Sequence, residues 1–240
     1  MSQDNRIVQR GFTIIELLLA MSFIAVLLLT MAITVIQIGN MHNKGMTFRN
    51  VDQASRIITS DIRRVVGQSE PFPLENNVVT QKHPGSPVDD PDGGRFCTGD
   101  YTYVWNFGKS LNNPINKYET GDDQIRFVRV RDKGGAYCAD PARSIRNNDA
   151  TELLAANGRD LAVQSFVVEL ITPDDNTGQA IYFFSMQVGT NNQDAIERTA
   201  DPILTINATC KPPSEGMGLQ NFCAVNQFDF TAVAGNKGGS

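Results

Sequence analysis

From Leu17 to Ile38 the chain carries no charged residue, and Thr30, Thr34 and Gln37 are only mild polar interruptions. About 22 such residues make a helix of roughly 33 Å, enough to cross a hydrocarbon core of about 30 Å. The pattern then changes rather than stops. Val51, Ala54, Ile58, Ile62 and Val65 recur at spacings of three and four, with Asp52, Arg56, Asp61 and Arg63 between them. That period predicts an amphipathic continuation with one face to bury. The whole helix, Phe12 to Val66, would measure roughly 80 Å. Gly39 and Gly45 permit a bend between its halves, and Gly67, Pro71 and Pro73 are expected to end it.

Residues 67–96 read as loop, with Pro71, Pro73, Pro84, Pro87, Pro91 and the turn Asp92-Gly93-Gly94. Strand-like runs follow at Tyr101–Phe107, Gln124–Arg131, Leu161–Ile171, Ala180–Val188, Ile203–Thr209 and Val225–Val233. Thr172 to Gly178 reads as a hairpin connection, Asp149–Asn157 as a short helix, and Gly235–Ser240 as a frayed tail. Strands gathered behind a helix predict an α+β fold, an antiparallel sheet packed on the helix's apolar face. The expected divisions are a charged leader at 1–11, a membrane half of the helix at 12–38, an amphipathic half at 39–66 and a sheet-built head at 67–234.

One acid does not belong in this scheme. Glu16 sits one turn inside the apolar run, where a carboxylate costs up to about 3 kcal/mol on insertion scales. A secretory signal or a plain anchor gains nothing from it. Cleavage between Gly11 and Phe12 would create an α-amino group four residues away, on the same chain or on a neighbour. A carboxylate in the first turn also complements the positive end of the helix dipole.

Gly11-Phe12-Thr13-Ile14-Ile15-Glu16-Leu17 resembles the cleavage signal of type IV pilins and of type II secretion pseudopilins. The resemblance rests on residues 11–17 and extends through the helix to about Val66. It implies cleavage after Gly11 by a prepilin peptidase, N-methylation of Phe12, and a role for Glu16 in aligning the incoming subunit with the filament. Major pilins usually carry a helix-breaking glycine and proline in the apolar half. This chain has no proline from Phe12 to Val66 and no glycine before Gly39. That departure points to a minor pilin, or to a minor pseudopilin, and residues 53–64 look like the juxtamembrane helix of the W or J kind.

The chain has a formal charge of −5, and a leader carrying Asp4, Arg6 and Arg10 would leave −6 on removal. An acidic balance argues against a nucleic-acid surface. Cys97, Cys138, Cys210 and Cys223 all follow the apolar run, which favours disulfides on an exported side. Three pairings are open. Cys97–Cys138 with Cys210–Cys223 is favoured because the second bridge closes a short, turn-rich loop, and such a C-terminal staple is common where the resemblance points.

Enzyme chemistry is not expected. His42 and His83 accompany no nucleophile, and no G-x-S-x-G, P-loop or H-E-x-x-H occurs. The acidic groups Asp89-Asp90-Pro91-Asp92 and Asp174-Asp175-Asn176 do not follow the calcium-loop pattern, and turns collect such residues for backbone reasons. No metal or cofactor is expected. Arg126, Arg129, Arg131 and Lys133 alternate across a strand and read as a solvated face or as intermolecular salt bridges. Asn207-Ala208-Thr209 matches a glycosylation sequon. The resemblance at residues 11–17 therefore implies a filament subunit. Its partners would be the prepilin peptidase, other subunits met through the N-terminal helix, and the inner membrane before assembly. After processing it would lie in an extracellular or periplasmic filament.

Overall fold

In a computed structural model the chain is described at residues 13–81, 93–107, 126–140, 142–145, 150–154, 161–174, 178–199, 207–212 and 222–235. Helix α1 runs unbroken from Ile14 to Gln68. The chain divides into two compact units between His42 and Asn43. In the first unit α1 is long and apolar enough to cross a membrane, and its most apolar stretch buries nothing against the protein. Leu17, Phe23 and Leu29 are all more than half exposed, which is the expected state of side chains whose solvent is lipid.

In the second unit the helix has one buried face. Val51, Ala54, Ile58, Ile62, Val65 and Val66 are 0–3% exposed, and each Val or Ile so buried stabilises the fold by roughly 1.5–3 kcal/mol. Gly67 does not end the helix. It lies within the last turn, its Cβ position 3.8 Å from the Val233 carbonyl, and termination waits for Ser69, whose amide bonds the Val66 carbonyl.

The remaining elements are α2 (Leu74–Asn77), β1 (Val78–Gln81), β2 (Gly93–Cys97), β3 (Tyr101–Asn106), β4 (Phe127–Arg131), α3 (Ala136–Ala139), β5 (Ala150–Glu152), β6 (Leu161–Asp174), β7 (Gln179–Thr190), a 3₁₀ turn (Gln193–Ala195), β8 (Ile196–Thr199), β9 (Asn207–Cys210) and β10 (Val225–Ala234). The strands form three antiparallel sheets, ordered β1-β2-β3-β4-β5, β10-β7-β6 and β8-β9. The architecture is α+β, with the helix and the two larger sheets sharing one core.

That core is aromatic. Phe96, Tyr103 and Phe127 step across the first sheet with centroids 5.9 Å apart at each step. Phe166 of the second sheet meets Phe96, Phe127 and, at 4.5 Å, Trp105. Gly94 faces Trp105 across β2 and β3, and a Cβ there would fall 2.5 Å from the indole. Only glycine fits without moving the ring.

Each expected strand appears over its described residues, with shifts at some ends, while Gln124, Ile125 and residues 203–206 lie outside the described residues. Four strands were not expected. β1 and β2 lie inside the proline-rich stretch read as loop, where cross-strand pairing overrides the local turn chemistry. β5 replaces the start of the helix expected at Asp149–Asn157, because it completes the edge of the first sheet. β8 pairs with β9. The hairpin connection is also shorter than expected. Thr172, Pro173 and Asp174 extend β6, where proline is tolerated because β6 is a sheet edge, and Gly178 closes the turn at φ +66°.

Candidate functional site

The start of α1 explains more about Glu16 than its neighbours in sequence suggested. The Thr13 amide and hydroxyl both donate to Glu16 Oε2, each at 2.9 Å, and the Glu16 amide donates back to Thr13 Oγ1 at 3.3 Å. The Thr13 carbonyl accepts the first helical bond, from Leu17. This is a capping box, with Thr13 at N-cap and Glu16 at N3. The compensation assigned above to an ammonium at Phe12 is therefore supplied in part by Thr13. The signal was present as Thr13-x-x-Glu16 directly before an apolar run. Oε1 of Glu16 keeps no partner among the described residues, so the carboxylate retains capacity for a second contact. Gly11 and Phe12 lie outside the described residues.

A second constellation joins α1 to the first sheet. Asp61 is buried and accepts from Tyr103 Oη at 2.9 Å and from Arg64 at 2.6 Å, and it forms an ion pair with Arg129. The Arg129 guanidinium also lies 5.1 Å from the Tyr101 ring centroid. Burial, then the Asp61 charge, push the Tyr103 phenol well above its ordinary range. The basic strand is corrected accordingly. Arg129 is spent inside the molecule and Arg126 is 9% exposed, while Arg131 is exposed. By sequence Asp61 falls among the polar residues between the apolar positions, yet it lies on the buried face, seven residues after Ala54.

The four cysteines pair as Cys97–Cys138 and Cys210–Cys223, with Cα separations of 6.3 and 5.9 Å, within the usual range for bridges. The first ties β2 to α3. Two residues earlier on β2, fully buried Arg95 donates to the carbonyls of Tyr137, Asp140 and Arg143 at 2.9, 3.2 and 2.8 Å. Burial lowers the Arg95 guanidinium to about 10, against the opposing pull of Asp140. From the other side Asp132 accepts the amides of Ala136 and Tyr137 and the Thr102 hydroxyl. Bridge, arginine and aspartate together hold residues 132–140 and Arg143 against the back of the first sheet, where Tyr137 and Ile145 pack on Val104, Val128 and Val130. Opening this bridge releases a loop of separation 41. Replacing both Cys97 and Cys138 by alanine is expected to cost about 4 kcal/mol in denaturant unfolding of the full chain, against about 3 kcal/mol for the shorter Cys210–Cys223 loop. Equal costs, or a larger cost for the short loop, would contradict that ranking.

Nothing among the described residues gathers three or more side chains fit to hold a metal ion. Asp89–Asp92, His83, Asp175 and Asn176 lie outside them, and His42 is exposed on α1. The sequon residue Asn207 sits in β9 and accepts from Gln187 at 2.9 Å. No family model, curated protein or solved structure matches this chain.

Proposed function

We propose that the protein is a minor pilin-like subunit, held in the inner membrane by the first half of α1 until a prepilin peptidase cuts behind Gly11. The methylated Phe12 chain would then join or initiate a filament, with the apolar helix packed among those of other subunits. A minor pseudopilin of a type II secretion system is the alternative within the same reading. The observation that carries it is one of position. The Gly11-to-Leu17 segment runs into the start of α1 at Ile14, so the proposed cut falls just ahead of a helix whose most apolar stretch buries nothing against the protein. The bridged, sheet-built head suits an oxidising exported compartment.

One observation favours a plain single-pass anchor carrying a binding or enzymatic head. The capping box gives Glu16 a structural role that needs no partner chain. Intact mass of the protein recovered from membranes separates the two. A chain beginning at Phe12 with one added methyl is expected; a chain that retains residues 1–11 would leave the anchor.

A further inference from the structure

The Cys97–Cys138 bridge is surrounded by bonds that do not depend on it. Around Cys138, the carbonyls of Tyr137, Asp140 and Arg143 accept from Arg95, and the amides of Ala136 and Tyr137 donate to Asp132. Both charged side chains are buried, Arg95 fully and Asp132 at 5% exposure. Cys97 belongs to β2, which is paired with β1 and β3, and its carbonyl accepts from Asn77 Nδ2 at 2.9 Å. Each sulfur is thus positioned by contacts that outlast the bond between them. The loop closed by the bridge limits the unfolded chain, whereas the folded segment is fastened separately.

The surroundings of the two sulfurs suit thiols. Cys97 Sγ lies 3.0 Å from Thr102 Oγ1, with both residues buried. Thr102 has one hydroxyl proton and Asp132 Oδ2 stands 2.7 Å away, so the carboxylate, as the stronger acceptor, takes it. A bridged sulfur has no proton to offer. The 3.0 Å contact therefore holds no hydrogen bond while the bridge is closed. A Cys97 thiol supplies the missing proton, and the bonds then run in one direction, from Cys97 through Thr102 to Asp132. Cys138 Sγ also faces an acceptor, the Asn77 carbonyl, at 3.7 Å.

We propose that Cys97–Cys138 is an exchangeable redox pair, opened by a dithiol and closed by the corresponding disulfide within the folded head. A thiolate of the dithiol attacks Cys138 Sγ, whose residue is the more exposed of the two at 9% against 1%. The Cys97–Cys138 bond breaks as the new S–S bond forms, and Cys97 leaves as a thiolate that takes a proton from water. The second thiol of the reagent then displaces Cys138 from the mixed disulfide. Two electrons and two protons have passed from the dithiol to the cysteines, and the reverse sequence closes the bridge. None of this involves N-terminal processing, so it stands or falls separately from the mass at Phe12.

The test equilibrates the full chain, in detergent micelles, with mixtures of reduced and oxidised dithiothreitol. Free thiols are alkylated and assigned by mass spectrometry, and amide hydrogen exchange is followed in the same samples. Cys97 and Cys138 are expected to open while the amides of Ala136 and Tyr137 stay protected, because Arg95 and Asp132 keep their bonds. Thr102→Val keeps the side-chain shape and removes the acceptor for the thiol. It should move the equilibrium about fivefold towards the closed bridge, the scale of one hydrogen bond, with Cys210–Cys223 in the same chain as the unshifted reference. Asp132 loses its Thr102 bond in the open and closed forms alike, so a purely structural role for Thr102 leaves the equilibrium where it was. Loss of protection at Ala136 and Tyr137 on opening, or an unshifted equilibrium in Thr102→Val, would overturn the proposal.

Discussion

Replacing Glu16 by alanine is expected to leave the chain in the membrane and cut behind Gly11, yet to exclude it from filaments. Two contributions are lost together in that variant, and the capping box allows them to be separated. Glutamine serves at N3 of a capping box, so Glu16→Gln keeps the bond to the Thr13 amide and removes only the charge. Thr13→Ala does the reverse, removing the hydroxyl that receives the Glu16 amide while leaving the acid. The cap accounts for about 1 kcal/mol, a modest loss within a helix of 55 residues. A carboxylate that aligns subunits by pairing with a neighbour's ammonium is a different matter, since its loss leaves that cation unpaired in an apolar setting. The glutamine variant should therefore fail to assemble as the alanine variant does, and Thr13→Ala should assemble nearly as the parent. The measurement is the ratio of protein in sheared filaments to protein in the membrane fraction, with the N-terminal mass confirming cleavage. Normal assembly of Glu16→Gln would reduce the acid to a helix cap.

The second large effect is expected at Asp61. Alanine there leaves the Arg129 guanidinium and the Tyr103 hydroxyl, both largely enclosed, without their acceptor. Removing one partner of a buried pair typically costs about 3–5 kcal/mol, most of it the penalty of the stranded charge. Replacing both members by apolar residues of similar volume is often close to neutral. Asp61→Ala should thus lower denaturant stability of the full chain by about 3 kcal/mol, and Asp61→Leu combined with Arg129→Met should recover most of that loss. A double variant no more stable than the single one would show that this pair is not the source of the cost.

The helix was legible because its signals are periodic and long. Val51, Ala54, Ile58, Ile62 and Val65 name the buried face, and the structure buries all five. Length also made the membrane-compatible half readable. The head was legible in kind and less so in detail. β6, β7 and β10 are long runs of β-formers and stand out, whereas β1, β2 and β5 are short and owe their conformation to partners distant in sequence. Gly93-Gly94 reads as a turn by composition, yet Gly94 is in a strand through its pairing with β1 and β3, and it is glycine because Trp105 occupies the space a side chain would need. Arg95 is harder still. Nothing local distinguishes a surface arginine from one enclosed by three carbonyls, and only the bridge at Cys97, two residues along the same face, hints at what lies over it. The N-terminus is the opposite case, since Thr13-x-x-Glu16 is a wholly local signal and the contacts it specifies form within one turn.

The burial of Asp61 among apolar neighbours also has a mechanical side. Apolar surfaces slide over one another with modest penalties, and a helix held to a sheet by Val and Ile alone could slip by a turn under tension. Asp61 meets Arg129 and Tyr103 in one register only. A slip of one turn would carry the carboxylate about 5.4 Å away from both. An axial pull on this part of α1 therefore strains the ionic contact and the apolar face at the same moment, in shear, rather than peeling them apart in sequence. Such a joint stays rigid up to a threshold and then gives way as a whole.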